Sequence, residues 1–137
     1  MLCGEMMKRP ECLGPAVPAC DAAARMRERN IGFLPVCDSS GAVIGTITDR
    51  DLALRVVAKQ LPATTAIGDI MTRETVACRA TDDLVHAMEL MAKHRKSRIM
   101  CLDEAGHLAG VISLSDLARG SDAGSTLKRV AEREARV

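Results

Sequence analysis

Aromatic side chains are almost absent from this sequence, which has one phenylalanine and neither tryptophan nor tyrosine. Proteins that bind single-stranded nucleic acid usually stack its bases on aromatic side chains, so this shortage argues against that function. An excess of one charge is also missing, because 19 lysines and arginines face 18 aspartates and glutamates. Without a strong field of one sign, the chain is not expected to bind nucleic acid or an anionic membrane. Eight methionines and many aliphatic side chains must fill the core instead.

Long apolar runs are missing too, since no stretch approaches the roughly 20 apolar residues of a membrane span. The first residues, Met1 to Gly4, show no basic segment followed by an apolar one, as a secretory signal would need. The 137 residues have a length typical of one domain. These features predict a soluble protein that acts in the cytoplasm.

The six cysteines show no Cys-x-x-Cys spacing and no close cluster with histidine, so no metal site is predicted. Three of them, Cys37, Cys78 and Cys101, lie in apolar runs. In a cytoplasmic chain they are expected to be small, reduced core residues. Cys3 lies near the chain terminus, a position that leaves its thiol open to exposure and oxidation.

The strongest positive feature is an internal repeat. Residues Gly45–Leu52 read GTITDRDL, and Gly110–Leu117 read GVISLSDL, at an offset of 65 residues. The same offset, with no gap, pairs Met6 with Met71. Repetition at this period predicts two copies of one supersecondary unit, so ligand chemistry in one copy should recur in the other.

Each copy is predicted to contain a helix with one apolar face, because its apolar residues recur at i, i+3, i+4 and i+7. The residues on these two faces are Ala19, Ala22, Ala23 and Met26 in the first copy, and Leu84, Ala87, Met88 and Met91 in the second. Pro18 stands at the entry of the first helix, where proline is tolerated. Asp82 and Asp83 suit the positive end of the second helix dipole.

Two short apolar runs joined by Asp-x-x-Gly follow each helix and predict a β-hairpin. A second helix begins at Thr48 or Ser113, and a short strand is predicted before each first helix, near Glu11–Leu13 and Thr75–Cys78. The repeated unit is therefore strand, helix, strand, strand, helix. We predict a first repeat over residues 1–58, a linker over 59–66, a second repeat over 67–120 and a charged tail over 121–137 that is helical from Thr126.

The sequences Thr48-x-x-Asp51 and Ser113-x-x-Asp116 have two interpretations. Each matches a helix cap, in which the hydroxyl accepts from the backbone N–H three residues on and the carboxylate reaches back. The same geometry suits a nucleotide, because helix N–H groups bind phosphate and a carboxylate accepts from ribose hydroxyls. Gly45 and Gly110, just upstream, would let a ligand or neighbouring backbone approach closely.

The doubled unit, the methionine near the start of each copy and the repeated Gly-to-Asp motif resemble a pair of CBS domains, named after cystathionine β-synthase. The resemblance covers about residues 2–120. It implies an α/β (α+β sandwich) fold, in which two pseudo-symmetric β-α-β-β-α repeats pack sheet to sheet as one disc-like module. It also implies clefts between the repeats for adenosyl ligands such as AMP, ADP, ATP, NAD or S-adenosylmethionine.

The resemblance assigns roles to individual residues. Asp51 and Asp116 would hold ribose hydroxyls, while Thr48 and Ser113 would contact ribose or phosphate. The apolar residues expected to wall the base are Leu13, Leu34, Pro35, Val76, Ala77, Ile99 and Met100.

The two copies depart from the family pattern in different ways. Arg50 stands beside the first aspartate, where the second copy has Ser115, and Arg98 stands where the first copy has Phe33. Both arginines are candidate phosphate partners. Met100-Cys101 replaces the Pro-Val that the family usually has, so the two clefts are not expected to be equivalent.

The preferred function is a non-catalytic regulatory, signal-transduction module that binds an adenine nucleotide and passes its occupancy to a partner protein in trans. It would require no cofactor and no metal, and stand-alone pairs of this family commonly form homodimers. His86, His94 and His107 are scattered and suggest no general base, so no enzyme is predicted. The alternatives are an interaction scaffold with vestigial clefts and a redox sensor that uses Cys3 or Cys12 across a dimer.

Overall fold

The computed structural model describes residues 1–9 and 11–120, and the side chains to Ala118. These residues form two compact units. One unit is Pro10–Thr75, called here the Asp51 unit. The other combines Met1–Arg9 with the chain from Val76 onward and is called the Asp116 unit. The predicted tail of residues 121–137, with its helix, lies outside the described residues.

Short helices and strands alternate along the described chain, as the predicted α/β class requires. In chain order they are α1 (Cys3–Met6), α2 (Ala19–Arg29), β1 (Phe33–Cys37), β2 (Val43–Thr48), α3 (Asp49–Leu52), β3 (Ala77–Arg79), α4 (Leu84–His94), β4 (Arg98–Leu102), β5 (Leu108–Ser113) and α5 (Leu114–Gly120). Helix α3 continues as a π-helical turn over Ala53–Val57, and Ile67–Asp69 forms a 3-10 turn.

The two long helices are bounded by local signals. Pro18 precedes α2 with extended backbone, and the Asp83 carboxylate caps α4 by accepting from the Val85 N–H at 2.9 Å. Asn30 and Arg95 end the helices in the left-handed conformation, with φ of 53° and 54°. These equivalent ends confirm that the two helices occupy matching places in the repeats.

The predicted helix faces are largely confirmed. The buried residues on these faces are Ala19, Ala22 and Met26 in α2, and Leu84, Ala87 and Met91 in α4. Ala23, which was predicted to face the core, is exposed, and Met88 is half-buried. Their positions lie at the edge of the apolar stripe, where a one-residue rotation about the axis decides burial.

Both predicted hairpins are present. Strands β1 and β2 pair antiparallel, and so do β4 and β5. In each connecting loop an aspartate accepts from backbone N–H groups, and a glycine with positive φ follows: Gly41 at 89° and Gly106 at 81°. The Asp-x-x-Gly signal therefore predicts the turn because it supplies both the acceptor and the residue that tolerates this backbone.

The short strand before the first helix differs between the units. In the Asp116 unit it forms as β3, which pairs parallel with β4. In the Asp51 unit the prediction of a strand over Glu11–Leu13 is wrong, because only a single parallel bridge from Leu13 to Val36 forms there. The Pro15 that follows at close range has no N–H to continue a ladder.

Each unit buries its own cluster of apolar side chains between its helices and strands. The fully buried members of these clusters include Leu34, Val36, Ile47 and Ile67 in the Asp51 unit, and Met91, Ile99, Ile112 and Leu117 in the Asp116 unit. No helix within the described ranges is long and apolar enough to cross a membrane.

The compact units do not follow the sequence repeats. Residues Met1–Arg9 precede the first repeat helix but fold with the second repeat, and residues up to Thr75 fold with the first. The ungapped pairing of Met6 with Met71 is wrong, because Met7 is the residue packed on Gly110 as Met71 is packed on Gly45. Between this methionine and the residue that pairs in parallel with β1 or β4, Leu13 in the first copy and Cys78 in the second, the first copy is one residue shorter. The offset between equivalent residues is therefore one less before this point than after it.

Two predictions about cysteine are wrong. Cys37 is not a free thiol, because it forms a disulfide with Cys12. Cys3 is not exposed: it is fully buried with Cys78 and Cys101, and the Cys78 sulfur lies 3.7 Å from that of Cys3 and 3.5 Å from that of Cys101. Sequence spacing did not reveal either grouping, because each joins residues far apart in the chain.

Candidate functional site

The first candidate site lies where β2 passes into α3. The Thr48 hydroxyl accepts from the Asp51 N–H at 3.1 Å, and Asp51 Oδ2 accepts from the Thr48 N–H at 3.0 Å. This reciprocal pair is the capping box that the sequence predicted. It fixes the carboxylate at the first turn of the helix, with one oxygen engaged by the backbone.

The Asp51 carboxylate has further partners that the sequence did not indicate. The Thr72 hydroxyl donates to Oδ1 at 3.3 Å and lies 3.5 Å from Oδ2. Arg55 Nε lies 3.7 Å from Oδ1, and its guanidinium also donates to the carbonyls of Ile70 and Met71. Asp51 is only 8% exposed, so these contacts replace most of the hydrogen bonds that water would otherwise make to its carboxylate. The contacts to Asp51 Oδ1 are all 3.3 Å or longer.

The second candidate site repeats the cap where β5 passes into α5. The Ser113 hydroxyl accepts from the Asp116 N–H at 3.1 Å, and Asp116 Oδ2 accepts from the Ser113 N–H at 3.2 Å. Here the other oxygen, Oδ1, lies 2.8 Å from Lys8 Nζ. Burial by itself would raise the pKa of Asp116, but the bonds from Lys8 and Ser113 outweigh it and lower that pKa below its ordinary value.

Backbone pairing brings the two partner residues to their aspartates. Thr72 exchanges two hydrogen bonds of 2.9 Å with Thr46 on β2, and Lys8 exchanges bonds of 3.0 and 2.9 Å with Val111 on β5. Lys8 and Thr72 are therefore structural equivalents. The sequence pattern missed them because they lie outside the motif and pair with strands of the other repeat.

The two motif glycines make room for these pairing segments. A Cβ at Gly45 would lie 2.6 Å from Met71 Sδ, and one at Gly110 would lie 2.6 Å from Met7 Sδ. Of the two predicted uses of these glycines, the close approach of a neighbouring chain segment is found, by the Thr72 backbone and the Met71 side chain at Gly45 and by the Met7 side chain at Gly110. Their presence is no separate sign of a ligand.

The predicted wall residues lie on or beside the central strands. Leu34 and Ile99 are buried within the apolar clusters of their units, whereas Pro35 and Met100 are buried on the opposite strand faces. Leu13 is the residue bridged to β1. The remaining two lie beside β4: Ala77 pairs with Met100, and the carbonyl of Val76 accepts from the Met100 N–H at 3.4 Å.

The polar residues predicted at the junctions are exposed. Arg50 and Ser115 occupy the first turns of α3 and α5. Arg98 begins β4 directly opposite Ser113, as Phe33 lies opposite Thr48. The structure therefore brings Arg98 beside the second motif and leaves an aromatic ring at the same place in the first.

No group of three or more histidine, cysteine or acidic side chains is placed to hold a metal ion among the residues that the structure describes. What the two junctions share is a capped carboxylate with a hydroxyl beside it. Such a pair offers hydrogen-bond acceptors for a diol and a donor for an anionic oxygen.

Comparison with known proteins agrees with this repeated architecture. The family model described as CBS domain matches the chain twice, over residues 3–58 and 67–122. The CBS domain-containing protein YhcV of Bacillus subtilis is 34% identical over 114 residues, which are 80% of this chain and 80% of that protein.

Solved structures are similar over nearly all of the described chain. Hypoxic Response Protein I with two coordinated zinc ions has a TM-score of 0.79 at 28% identity, covering 88% of this chain and 99% of that one. The CBS domain pair of MJ0100, in complex with 5'-methylthioadenosine and S-adenosyl-L-methionine, has a TM-score of 0.77 at 25% identity, covering 87% and 94%. These likenesses confirm the predicted fold class.

Proposed function

The chain belongs to the CBS domain family as a tandem pair, and from that premise we propose that it is a regulatory module for an adenosyl nucleotide. The ligand class is AMP, ADP or ATP, with NAD and S-adenosylmethionine as the alternatives. The observation that carries the proposal is the same hydroxyl–carboxylate pair at both strand–helix junctions. A similar CBS pair, that of MJ0100, binds two ligands that share the adenosyl group.

The geometry of the Asp51 junction supports ribose recognition. The cap engages Oδ2 through a backbone N–H at 3.0 Å, whereas the contacts to Oδ1 are all 3.3 Å or longer. A ribose diol would donate to Oδ1 at normal hydrogen-bond distance and so replace weak contacts by stronger ones. The cap that orients the carboxylate need not open.

The hydroxyl and basic residues near the junctions suit the rest of a nucleotide. Thr48 or Ser113 would donate to a ribose or phosphate oxygen, and Arg50 or Arg98 would pair with phosphate. The base would lie against Pro35 in the first copy and against Ala77 and Met100 in the second. These residues are on the strand faces away from the apolar clusters in which Leu13, Leu34, Val76 and Ile99 pack. Ser115, in the place of Arg50, adds only a neutral hydroxyl.

We propose further that the module is not an enzyme and acts by passing ligand occupancy to a partner protein in trans, as a homodimer in the cytoplasm. The family model that matches both repeats is described only as a CBS domain. In this mechanism the ligand stabilises one arrangement of the module, and a partner that distinguishes the arrangements reads the change.

A second candidate function is an interaction scaffold in which the two motifs are only caps. It is favoured by the same contacts, because both hydroxyl–carboxylate pairs already serve as helix caps without a ligand. The third candidate, a redox sensor acting across a dimer, loses its basis: Cys3 is buried and Cys12 is bonded to Cys37 within the chain.

Ligand-dependent melting distinguishes the first two candidates. A ligand bound only by the folded protein stabilises it by about 2.7 kcal/mol when its concentration is 100 times the dissociation constant. We expect such a shift with at least one of AMP, ATP, NAD and S-adenosylmethionine. Calorimetric titration of the same ligands would then give the affinity and the number of sites.

Two matched variants complete the test. Asp51→Asn removes the proposed ribose acceptor, whereas Asp49→Asn changes an exposed carboxylate two residues away. We expect the first to reduce ligand affinity at least tenfold and the second to leave it unchanged. If no adenosyl compound shifts the melt, and Asp51→Asn changes only the unliganded stability, the scaffold is the correct function.

A further inference from the structure

The two aspartates of the repeat have unlike partners at the same place. Asp51 Oδ1 receives the neutral hydroxyl of Thr72 at 3.3 Å, while Asp116 Oδ1 receives the ammonium of Lys8 at 2.8 Å. Thr72 and Lys8 are brought there by the same backbone pairing with the strand that ends in the motif. At these two equivalent positions the difference is one of side chain alone. The Asp51 junction has in addition the Arg55 guanidinium, whose Nε lies 3.7 Å from Oδ1, a longer contact than that of Lys8.

The two contacts differ in strength. A bond between an ammonium and a carboxylate at 2.8 Å is charge-assisted and short, whereas a hydroxyl shared between two oxygens at 3.3 and 3.5 Å is weak. The Lys8 backbone exchanges two hydrogen bonds with Val111, which fixes the base of its side chain. Asp116 thus has both oxygens engaged, one by the cap and the other by Lys8.

We propose that Lys8 is a specificity-determining residue that closes the Asp116 junction to ribose and leaves the Asp51 junction as the primary nucleotide site. This inference rests on the proposed function, since it concerns which of the two carboxylates accepts the diol. A ribose at Asp116 must displace an ammonium held at 2.8 Å from Oδ1, and at Asp51 it displaces only the longer contacts from the Thr72 hydroxyl at 3.3 Å and from Arg55 Nε at 3.7 Å. The chain then holds one nucleotide tightly and a second one weakly.

The exposure of Lys8 agrees with this role. Its side chain is 68% exposed while that of Asp116 is 11% exposed, so the lysine covers the carboxylate from the solvent side. A side chain in that position meets an incoming ligand before the carboxylate does. Asp51 has no lysine in the equivalent place, because the chain has Thr72 there.

The test exchanges the side chains at the two equivalent positions, Lys8 and Thr72, and counts the ligand molecules bound per chain. Wild type, Lys8→Thr and Thr72→Lys are titrated calorimetrically with AMP and, separately, with adenosine. We expect wild type to bind one AMP per chain with about fivefold higher affinity than a second. Lys8→Thr should bring the two affinities to within about twofold, and Thr72→Lys should weaken the tight site about fivefold.

Two controls isolate the blocking contact. Lys8→Arg retains a cation that reaches the carboxylate and should behave as wild type, whereas Arg9→Thr removes a neighbouring exposed cation and should also change nothing. Adenosine has no phosphate, so its gain of a second site in Lys8→Thr would arise from the freed carboxylate rather than from altered charge. Circular dichroism and melting of each variant verify that it is folded.

Three results would overturn the inference. Wild type that binds two AMP molecules with equal affinity has no closed junction. If Lys8→Thr still binds only one AMP per chain, and only one adenosine in the separate titration, Lys8 does not decide how many sites are occupied. A Lys8→Thr variant whose weak site loses AMP affinity would make Lys8 a phosphate ligand instead. If every variant fails to bind every adenosyl compound, the proposed function itself fails.

Discussion

Met71 lies against Gly45 so closely that a Cβ on that glycine would sit 2.6 Å from Met71 Sδ and 2.8 Å from the Thr72 carbonyl oxygen. The second of these neighbours is backbone that is itself hydrogen-bonded to β2, so it has little freedom to move. The contact shows that the motif glycine serves the pairing of chain segments. It also places Thr72 over the Asp51 carboxylate.

We predict that Gly45→Ala destabilises the protein by about 2 kcal/mol, because the added methyl group forces the pairing segment away from the strand. Urea unfolding measures the change. Gly14→Ala is the matched control, since a Cβ there meets nothing within 4 Å, and it should change stability by less than about 0.5 kcal/mol. Equal effects of the two substitutions would contradict the close packing at Gly45.

The disulfide between Cys12 and Cys37 should contribute about 3 kcal/mol to stability, because it closes a loop of 25 residues in the unfolded chain. Cys12→Ser is therefore expected to lower the urea midpoint of the oxidised protein, and a reducing agent should lower the midpoint of wild type to a similar value. Cys20→Ser, at an exposed free thiol, serves as the control.

A thiol count tests the same bond independently of stability. Protein denatured without reductant should show four reactive thiols, since four of the cysteines are free. Reduction before denaturation should raise the count to that of all six cysteines. A count of six without reductant would show that the bond does not form under those conditions.

The buried thiols of the Asp116 unit should resist alkylation in the folded protein. Burial, followed by the neighbouring Cys78, raises the pKa of the Cys3 thiol to about 12, and the bond to Cys101 together with burial also raises the pKa of Cys78. Since the thiolate is the reactive form, iodoacetamide at about pH 8 should label exposed Cys20 first. Mass spectrometry of native protein, sampled over time, checks the order.

Rapid native labelling of Cys3 would contradict its burial at 0% exposure. Labelling in denaturant provides the control, because all free thiols then react at similar rates. If Cys3 is alkylated slowly in the native protein and much faster in urea, its protection comes from the folded structure.

The Lys8–Asp116 pair should give a stability contribution that depends on pH. The folded pKa of Asp116 lies below its ordinary value of 3.8, because the bonds from Lys8 and Ser113 outweigh the effect of burial. A lowered folded pKa means that the contribution is complete above the unfolded pKa and is lost as the pH falls through the folded one. Because Lys8 is largely exposed, it should amount to less than about 1 kcal/mol.

Unfolding free energies of wild type and Lys8→Met, measured from about pH 7 down to about pH 3, test this expectation. The difference in unfolding free energy between wild type and Lys8→Met should be constant near the higher pH and should shrink as the pH falls. Lys96→Met changes another exposed lysine of the same unit, and its difference in unfolding free energy from wild type should not depend on pH. A wild-type advantage that grows as the pH falls would contradict the assignment.

Local sequence determined the parts of this protein that depend on neighbours a few residues apart. The spacing of Leu84, Ala87 and Met91 predicted a buried helix face, and Asp38 with Gly41 predicted a turn. The caps of Thr48 with Asp51 and of Ser113 with Asp116 also span three residues, so the pattern itself specifies the hydrogen bonds. Repetition of that motif then pointed to the family.

The contacts between distant segments could not be predicted from local patterns. Lys8 reaches Asp116, Thr72 reaches Asp51 and Cys12 reaches Cys37 through the pairing of strands and bridges, not through any short spacing. Such contacts depend on the register in which buried strands pair and on how each unit fills its core, which no local pattern encodes. Short-range patterns therefore specify two copies of one capped carboxylate, and tertiary packing makes their surroundings different.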